Sequence, residues 1–150
     1  ALAITPDGQR VVSSSKDKTL KVWNLTTGKE ERTLSGHGDS VYAFAITPDG
    51  QRVVSGSKDK TLKIWNLATG EEEYTLSGHS DSVNALAITP DGQRVVSGSK
   101  DKTLKVWNLT TGKEEHTLSS HSDSVNALAI TPDGQRVVSS SKDKTLKVWN

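Results

Sequence analysis
The sequence has no cysteine and no methionine, and only one phenylalanine and two tyrosines in 150 residues. Without cysteine there is neither a disulfide framework nor a thiolate metal site, and the composition suits a reducing, cytoplasmic setting. No apolar run approaches the roughly 20 residues that cross a bilayer, so no membrane partner is expected. An excess of one charge is lacking too. The 19 Lys and Arg nearly cancel the 18 Asp and Glu, leaving a net charge of +1, which favours neither nucleic acid nor an anionic surface. The chain opens at Ala1 with no signal-like segment, and because a natural reading frame begins with methionine, its complete lack of that residue leads us to expect a trimmed, excised or engineered piece.

Apolar residues make up 32% of the chain, little for a conventional core, yet they recur in short regular clusters that a disordered chain would not show. The string Ala-Ile-Thr-Pro-Asp-Gly-Gln-Arg-Val-Val-Ser begins at Ala3, Ala45, Ala87 and Ala129, a spacing of 42 each time. Residues 43–84 and 85–126 differ only at positions 44, 64, 68, 71, 74 and 78. A period of 40–45 residues is the length of a four-stranded propeller blade. We therefore divide the chain into repeats 1–42, 43–84 and 85–126, with 127–150 partial.

Local chemistry agrees. In residues 82–121, Ser82 to Thr89 reads as a strand and Pro90-Asp91-Gly92 as a turn, with Pro fixing φ and Gly accepting positive φ. Arg94 to Ser99, Thr103 to Leu109 and Glu114 to Leu118 read as further strands, joined at Lys100-Asp101-Lys102 and Thr111-Gly112. The first strand is apolar on both faces (Val83, Ala85, Ala87 and Leu86, Ile88), as a sheet covered on both sides requires. The expected fold class is all-β: an open arc of about 3.6 four-stranded antiparallel meanders.

With these residues in view, the chain resembles the WD-repeat β-propellers over its whole length, especially highly repetitive bacterial members. The family's Gly-His stands here as Gly36-His37, Gly78-His79 and Ser120-His121. Its closing Trp-Asp stands as Trp23-Asn24, Trp65-Asn66, Trp107-Asn108 and Trp149-Asn150, which keeps an acceptor oxygen and loses a charge. The resemblance implies a buried tetrad in each blade: His37, Ser55, Asp59, Trp65; His79, Ser97, Asp101, Trp107; His121, Ser139, Asp143, Trp149. The first repeat supplies Ser13, Asp17 and Trp23.

His, Ser and Asp together also invite a serine-hydrolase reading. Near-identical sets in successive repeats and the lack of a Gly-x-Ser-x-Gly elbow argue for structural tetrads instead. No catalytic residue, metal site or cofactor is expected, since the tetrad histidines lie 42 residues apart and the Asp-Gly turns lack further acidic ligands. The recurring lysines read as solvated charge that blunts strand edges; nucleic acid is not expected.

The resemblance further implies a protein or peptide partner on one face, contacted by Lys16, Ser40, Tyr42, Lys58, Ser82, Asn84, Lys100, Ser124, Asn126 and Lys142. Tyr42 replaces Asn84 and Asn126, and aromatic anchors are common binding hot spots. An open arc should leave an apolar sheet face at each end. A homodimer closing one eight-bladed ring is the expected assembly. The function expected is a non-catalytic scaffold; the alternative is an engineered or excised piece whose only activity is self-association.

Overall fold
The computed structural model describes residues 1–150 as β-strands joined by turns, with no helix and hence none long and apolar enough to cross a membrane. The first sheet holds β1 (Leu2–Ile4), β2 (Arg10–Ser14), β3 (Thr19–Asn24) and β4 (Glu30–Ser35). The second holds β5 (Val41–Ile46), β6 (Arg52–Ser57), β7 (Thr61–Asn66) and β8 (Glu72–Ser77). The third holds β9 (Val83–Ile88), β10 (Arg94–Ser99), β11 (Thr103–Asn108) and β12 (Glu114–Ser119). The fourth has three strands: β13 (Val125–Ile130), β14 (Val137–Ser141) and β15 (Leu146–Trp149). Within each sheet neighbours in sequence are neighbours in space, all antiparallel. The fold is an open run of propeller blades.

Two turns make the meander. At Pro48-Asp49-Gly50 the Asp49 carboxylate accepts from the Thr47 hydroxyl and the Gln51 N–H, while Gly50 takes φ 71°. At Lys58-Asp59-Lys60 the positive φ of 76° falls on Lys60, and Lys18, Lys102 and Lys144 repeat it. A lysine there carries the left-handed strain that glycine would avoid.

The core lies between sheets, not within them. The forward face of each sheet, toward the next in chain order, packs on the rear face of its successor. Between the first two, Val12, Leu20, Val22 and Leu34 meet Val41, Val53, Trp65 and Leu67. Between the second and third, Val54, Leu62, Ile64 and Leu76 meet Val83, Val95, Trp107 and Leu109. The third interface repeats the pattern less tightly around Val96, Leu104 and Val125. Each leucine buried this way contributes about 1.5–3 kcal/mol relative to exposure.

Glycine enters these interfaces for a steric reason. A Cβ on Gly56 would stand 2.6 Å from Val83 Cγ1, and one on Gly98 equally close to Val125 Cγ1. The corresponding residues of the first and last sheets are Ser14 and Ser140. By the same register Ser14 stands opposite Val41, which is buried slightly less completely than Val83 and Val125.

Candidate functional site
Three sets of tetrad residues converge as hydrogen-bonded chains. The second strand of each sheet supplies Ser, the following turn Asp, the third strand Trp, and the loop before the first strand His. His37 Nδ1 lies 2.8 Å from Asp59 Oδ2, and Nε2 lies 2.7 Å from Ser55 Oγ. Trp65 Nε1 donates to the same Oγ at 2.8 Å. The ionised carboxylate can only accept, so the proton sits on Nδ1 of the neutral ring and Nε2 accepts from the serine hydroxyl. Every member is then satisfied.

The other two sets match. His79 meets Asp101 at 2.7 Å and Ser97 at 2.8 Å, with Trp107 donating at 2.9 Å. His121 meets Asp143 and Ser139 at 2.8 Å, with Trp149 donating at 2.9 Å. In the first sheet Trp23 donates to Ser13 at 3.0 Å with no histidine on the hydroxyl, and Asp17 accepts from Thr19.

The electrostatics follow from these bonds. Burial alone would raise Asp59, but the Thr61 hydroxyl and N–H, the His37 ring and the Gly38 N–H outweigh it and hold the carboxyl at about 2. Asp101 is also held well below the usual range against burial, chiefly by His79 and Thr103. Asp143 is held low mainly by the Thr145 hydroxyl, with His121 also contributing. Burial pushes His37 below its ordinary value despite the opposing pull of Asp59.

Chemically these are inward-facing chains. Ser55 and Ser97 are wholly buried, and each hydroxyl is engaged by both histidine and tryptophan. A nucleophile needs an open path to its substrate, and neither serine has one. No three His, Asp or Glu side chains cluster in a way that could hold a metal ion.

The asparagine of the Trp-Asn pair does more than replace an aspartate. Asn66 Oδ1 accepts from the N–H groups of Ala68 and Thr69, capping the turn. Its amide nitrogen donates to Glu73 on the fourth strand at 3.3 Å, and Asn24 and Asn108 do the same with Glu31 and Glu115. A carboxylate at that position would face another carboxylate. The sequence offered a signal for this, since every Trp-Asn followed by a complete fourth strand is paired with Glu-Glu there, but the reach of the amide was not legible without the strand register.

The residues nominated for a partner face divide by burial. Lys16, Tyr42, Lys58, Lys100, Asn126 and Lys142 are exposed, Ser40 and Asn84 half-buried, and Ser82 and Ser124 buried. Ser82 and Ser124 accept the Lys100 and Lys142 N–H groups on their backbone carbonyls. Asn84 donates to the Val125 carbonyl and so ties two sheets together. Lys58 and Lys100 stand 3.7 and 4.0 Å from Asp39 and Asp81, so the face is mixed in charge rather than basic.

The family model of the WD domain, G-beta repeat, matches residues 1–24, 28–66, 70–108 and 112–150. A stretch of 32 residues is 47% identical to nuclear distribution protein PAC1-2 of Postia placenta, covering 21% of this chain and 8% of that protein. The structure of U3-55K superimposes with a TM-score of 0.90 at 30% identity, covering 99% of this chain and 47% of that one. The chain thus spans less than half the length of either relative. With the family model matched four times and the blade geometry in place, the chain belongs to the WD-repeat β-propeller family.

Proposed function
We propose that this chain is a non-catalytic protein-interaction scaffold, and that the 150-residue chain takes a second copy of itself as its first partner. Its family is in general one of non-catalytic scaffolds. The observation carrying the self-association is the pair of end faces. On the forward face of the fourth sheet, Leu146 is 72% and Val148 64% exposed, although their counterparts Leu62 and Ile64 are wholly buried. On the rear face of the first sheet, Leu2 is 72% exposed and Ile4 and Leu25 are exposed as well. The interior interfaces display what fits each face: the other one. Two four-sheet arcs joined head to tail about a two-fold axis make a ring of eight, within the range of known propellers. Two copies also supply about as much chain as the matched U3-55K structure, of which one copy covers 47%.

Blocking one face at a time tests this reading. Leu146→Asp and Leu2→Asp should each be monomeric alone, because every junction needs one intact face of each kind. Mixed together, they should form a dimer through the single intact pairing. Association of either variant alone would contradict the head-to-tail arrangement. A further protein partner is proposed for the face bearing Lys16, Tyr42 and Lys58, with Tyr42, 48% exposed, as its anchor. Capture of a partner unchanged by Tyr42→Ala would remove that role.

A further inference from the structure
The antiparallel meander sends its turns to two opposite rims. One rim carries the Lys-Asp-Lys turns between the second and third strands and the loops that bear Asp39, Asp81 and Asp123. On it Lys58 and Lys100 face Asp39 and Asp81, and the tetrad aspartates are turned inward to their histidines. Four lysines remain. Lys18, Lys60, Lys102 and Lys144 are exposed, form no salt bridge, and hold the left-handed backbone at φ 68–76°. Glycine adopts that conformation at no steric cost, so these side chains are kept against a local preference.

The opposite rim complements them. Asp7, Asp49, Asp91 and Asp133 are exposed on the Pro-Asp-Gly turns. Each spends Oδ1 on the threonine hydroxyl two residues before it and the glutamine N–H two residues after it, which leaves Oδ2 without a partner. Those bonds, the hydroxyl first, hold the carboxyls below their ordinary value and therefore ionised at neutral pH. Between successive turns open two clefts lined by polar side chains and proline. One of about 560 Å³ lies between Asp49 and Asp91, and one of about 410 Å³ between Asp91 and Asp133. Each has room for a lysine side chain. The larger also takes in Asn66 and Thr110 beside the ends of the third strands. It thus sits between the second and third strands, the same distance out along the sheet at which the lysine turns project from the other rim.

We infer that the two rims form a stacking surface for a second copy of this chain, the free lysines of one copy entering the aspartate clefts of the other. Both rims are ends of the same sheets, so the step from one lysine to the next matches the step from one cleft to the next. Lys60 and Lys102 of one copy therefore meet two neighbouring clefts of the other at once. A single exposed Lys–Asp contact contributes little. Repeated at fixed spacing on a packed arc, such contacts act together. The net charge of +1 leaves no strong repulsion to oppose them. The two contacting surfaces differ, so the interface is heterologous and adds copies in an open series. It uses neither end face and does not depend on ring closure.

The test is sedimentation velocity on a chain carrying both Leu2→Asp and Leu146→Asp, two exposed positions whose change blocks both end faces. Charges act over about 30 Å at about 0.01 M salt and over about 3 Å at about 1 M. Concentration-dependent dimers and longer stacks are expected at the lower salt, and monomer at the higher. Pairing through apolar end faces persists in high salt, so the monomeric state of each single end-face variant is read there, and either association can fail without the other. Adding Lys60→Glu and Lys102→Glu should weaken stacking by about tenfold or more. Asp49→Lys with Asp91→Lys should do the same. An equimolar mixture of these two variants should stack again through native and reversed pairs, and that recovery also shows that both fold. The lysine variant, changed only at exposed turn tips, decides the matter even where the aspartate changes disturb their turns. Monomer at low salt, stacks that survive 1 M salt, or stacks unaffected by the two lysine reversals would overturn the proposal.

Discussion

Leu62, Leu104 and Leu146 occupy the same place in consecutive repeats, on the third strand of a sheet and facing forward. The first two are wholly buried, whereas Leu146 is 72% exposed. The tryptophans face rearward and divide at the other end: Trp65 and Trp107 are buried, and Trp23, with no sheet behind it, is half-buried. Identical residues on identical strands differ because burial is conferred by the neighbouring sheet. A blade alone is therefore not a folding unit with its own core, and the interior sheets hold most of the packing free energy. This is the expected behaviour of a repeat architecture, in which stability resides in intrinsic repeat terms plus nearest-neighbour interfaces.

The sharpest test of that contrast is a matched pair of truncations. Trp107→Ala should lower unfolding free energy in urea by about 3–5 kcal/mol and Leu62→Ala by about 2–5 kcal/mol. Leu146→Ala, followed at concentrations where the chain is monomeric, should change it by less than about 0.5 kcal/mol, the range for exposed sites. Equal losses at Leu62 and Leu146 would show that cover by the next sheet does not set the contribution of these leucines.

The tetrads give a second contrast. Ser97→Ala strips a partner from both His79 and Trp107 in a buried setting and should cost about 1–3 kcal/mol. Ser13→Ala, where no histidine reaches the hydroxyl, should cost less in the same denaturation series. The glycine positions give a third. Gly56→Ser forces a Cβ against Val83 and should cost about 1–3 kcal/mol as overpacking. Ser14→Gly, the reverse change at the first interface, should cost far less.

Acid titration follows from the same chains. Asp59 is held at about 2 against an ordinary 3.8. The stability it contributes is fully present above the unfolded value and is lost as pH falls from about 4 through 2. Asp101 and Asp143 act in the same direction. His37 is depressed below 6.5, so the unfolded chain takes up its proton first and stability declines already as pH drops below that value. Stability against pH measured by tryptophan fluorescence should fall on both limbs, and Asp59→Asn should flatten the lower one. The smallest effect is expected at a strained turn. Lys102→Gly should change stability by less than about 1 kcal/mol, because relief of the left-handed backbone is offset by the greater entropy of glycine in the unfolded chain.

Much of this was legible from the chain because repetition exposes it. The Pro-Asp-Gly and Lys-Asp-Lys turns mark hairpins by their own chemistry, and each strand of residues 82–121 ends within two residues of where its sequence placed it. The resemblance to WD repeats, not spacing alone, implied the tetrads of His, Ser, Asp and Trp; in the second, third and fourth sheets those side chains form hydrogen-bonded chains. Features that depend on the adjacent sheet were not legible. Ser82 and Ser124 read as surface yet are buried, and Asn84 is bound to Val125. The choice of Gly56 and Gly98 over Ser14 and Ser140 looks like drift until Val83 and Val125 are seen against them. Arg32 and Tyr74 share a register position without sharing charge or shape, and only the turn carbonyls opposite reveal a common task.

In the proposed self-association the two end faces are complements, each burying the other. Light scattering of the unmodified 150-residue chain tests it most directly. A species of about 32 kDa, twice the 16.1 kDa chain, is predicted, whereas a monodisperse 16 kDa species across the concentration range would contradict it.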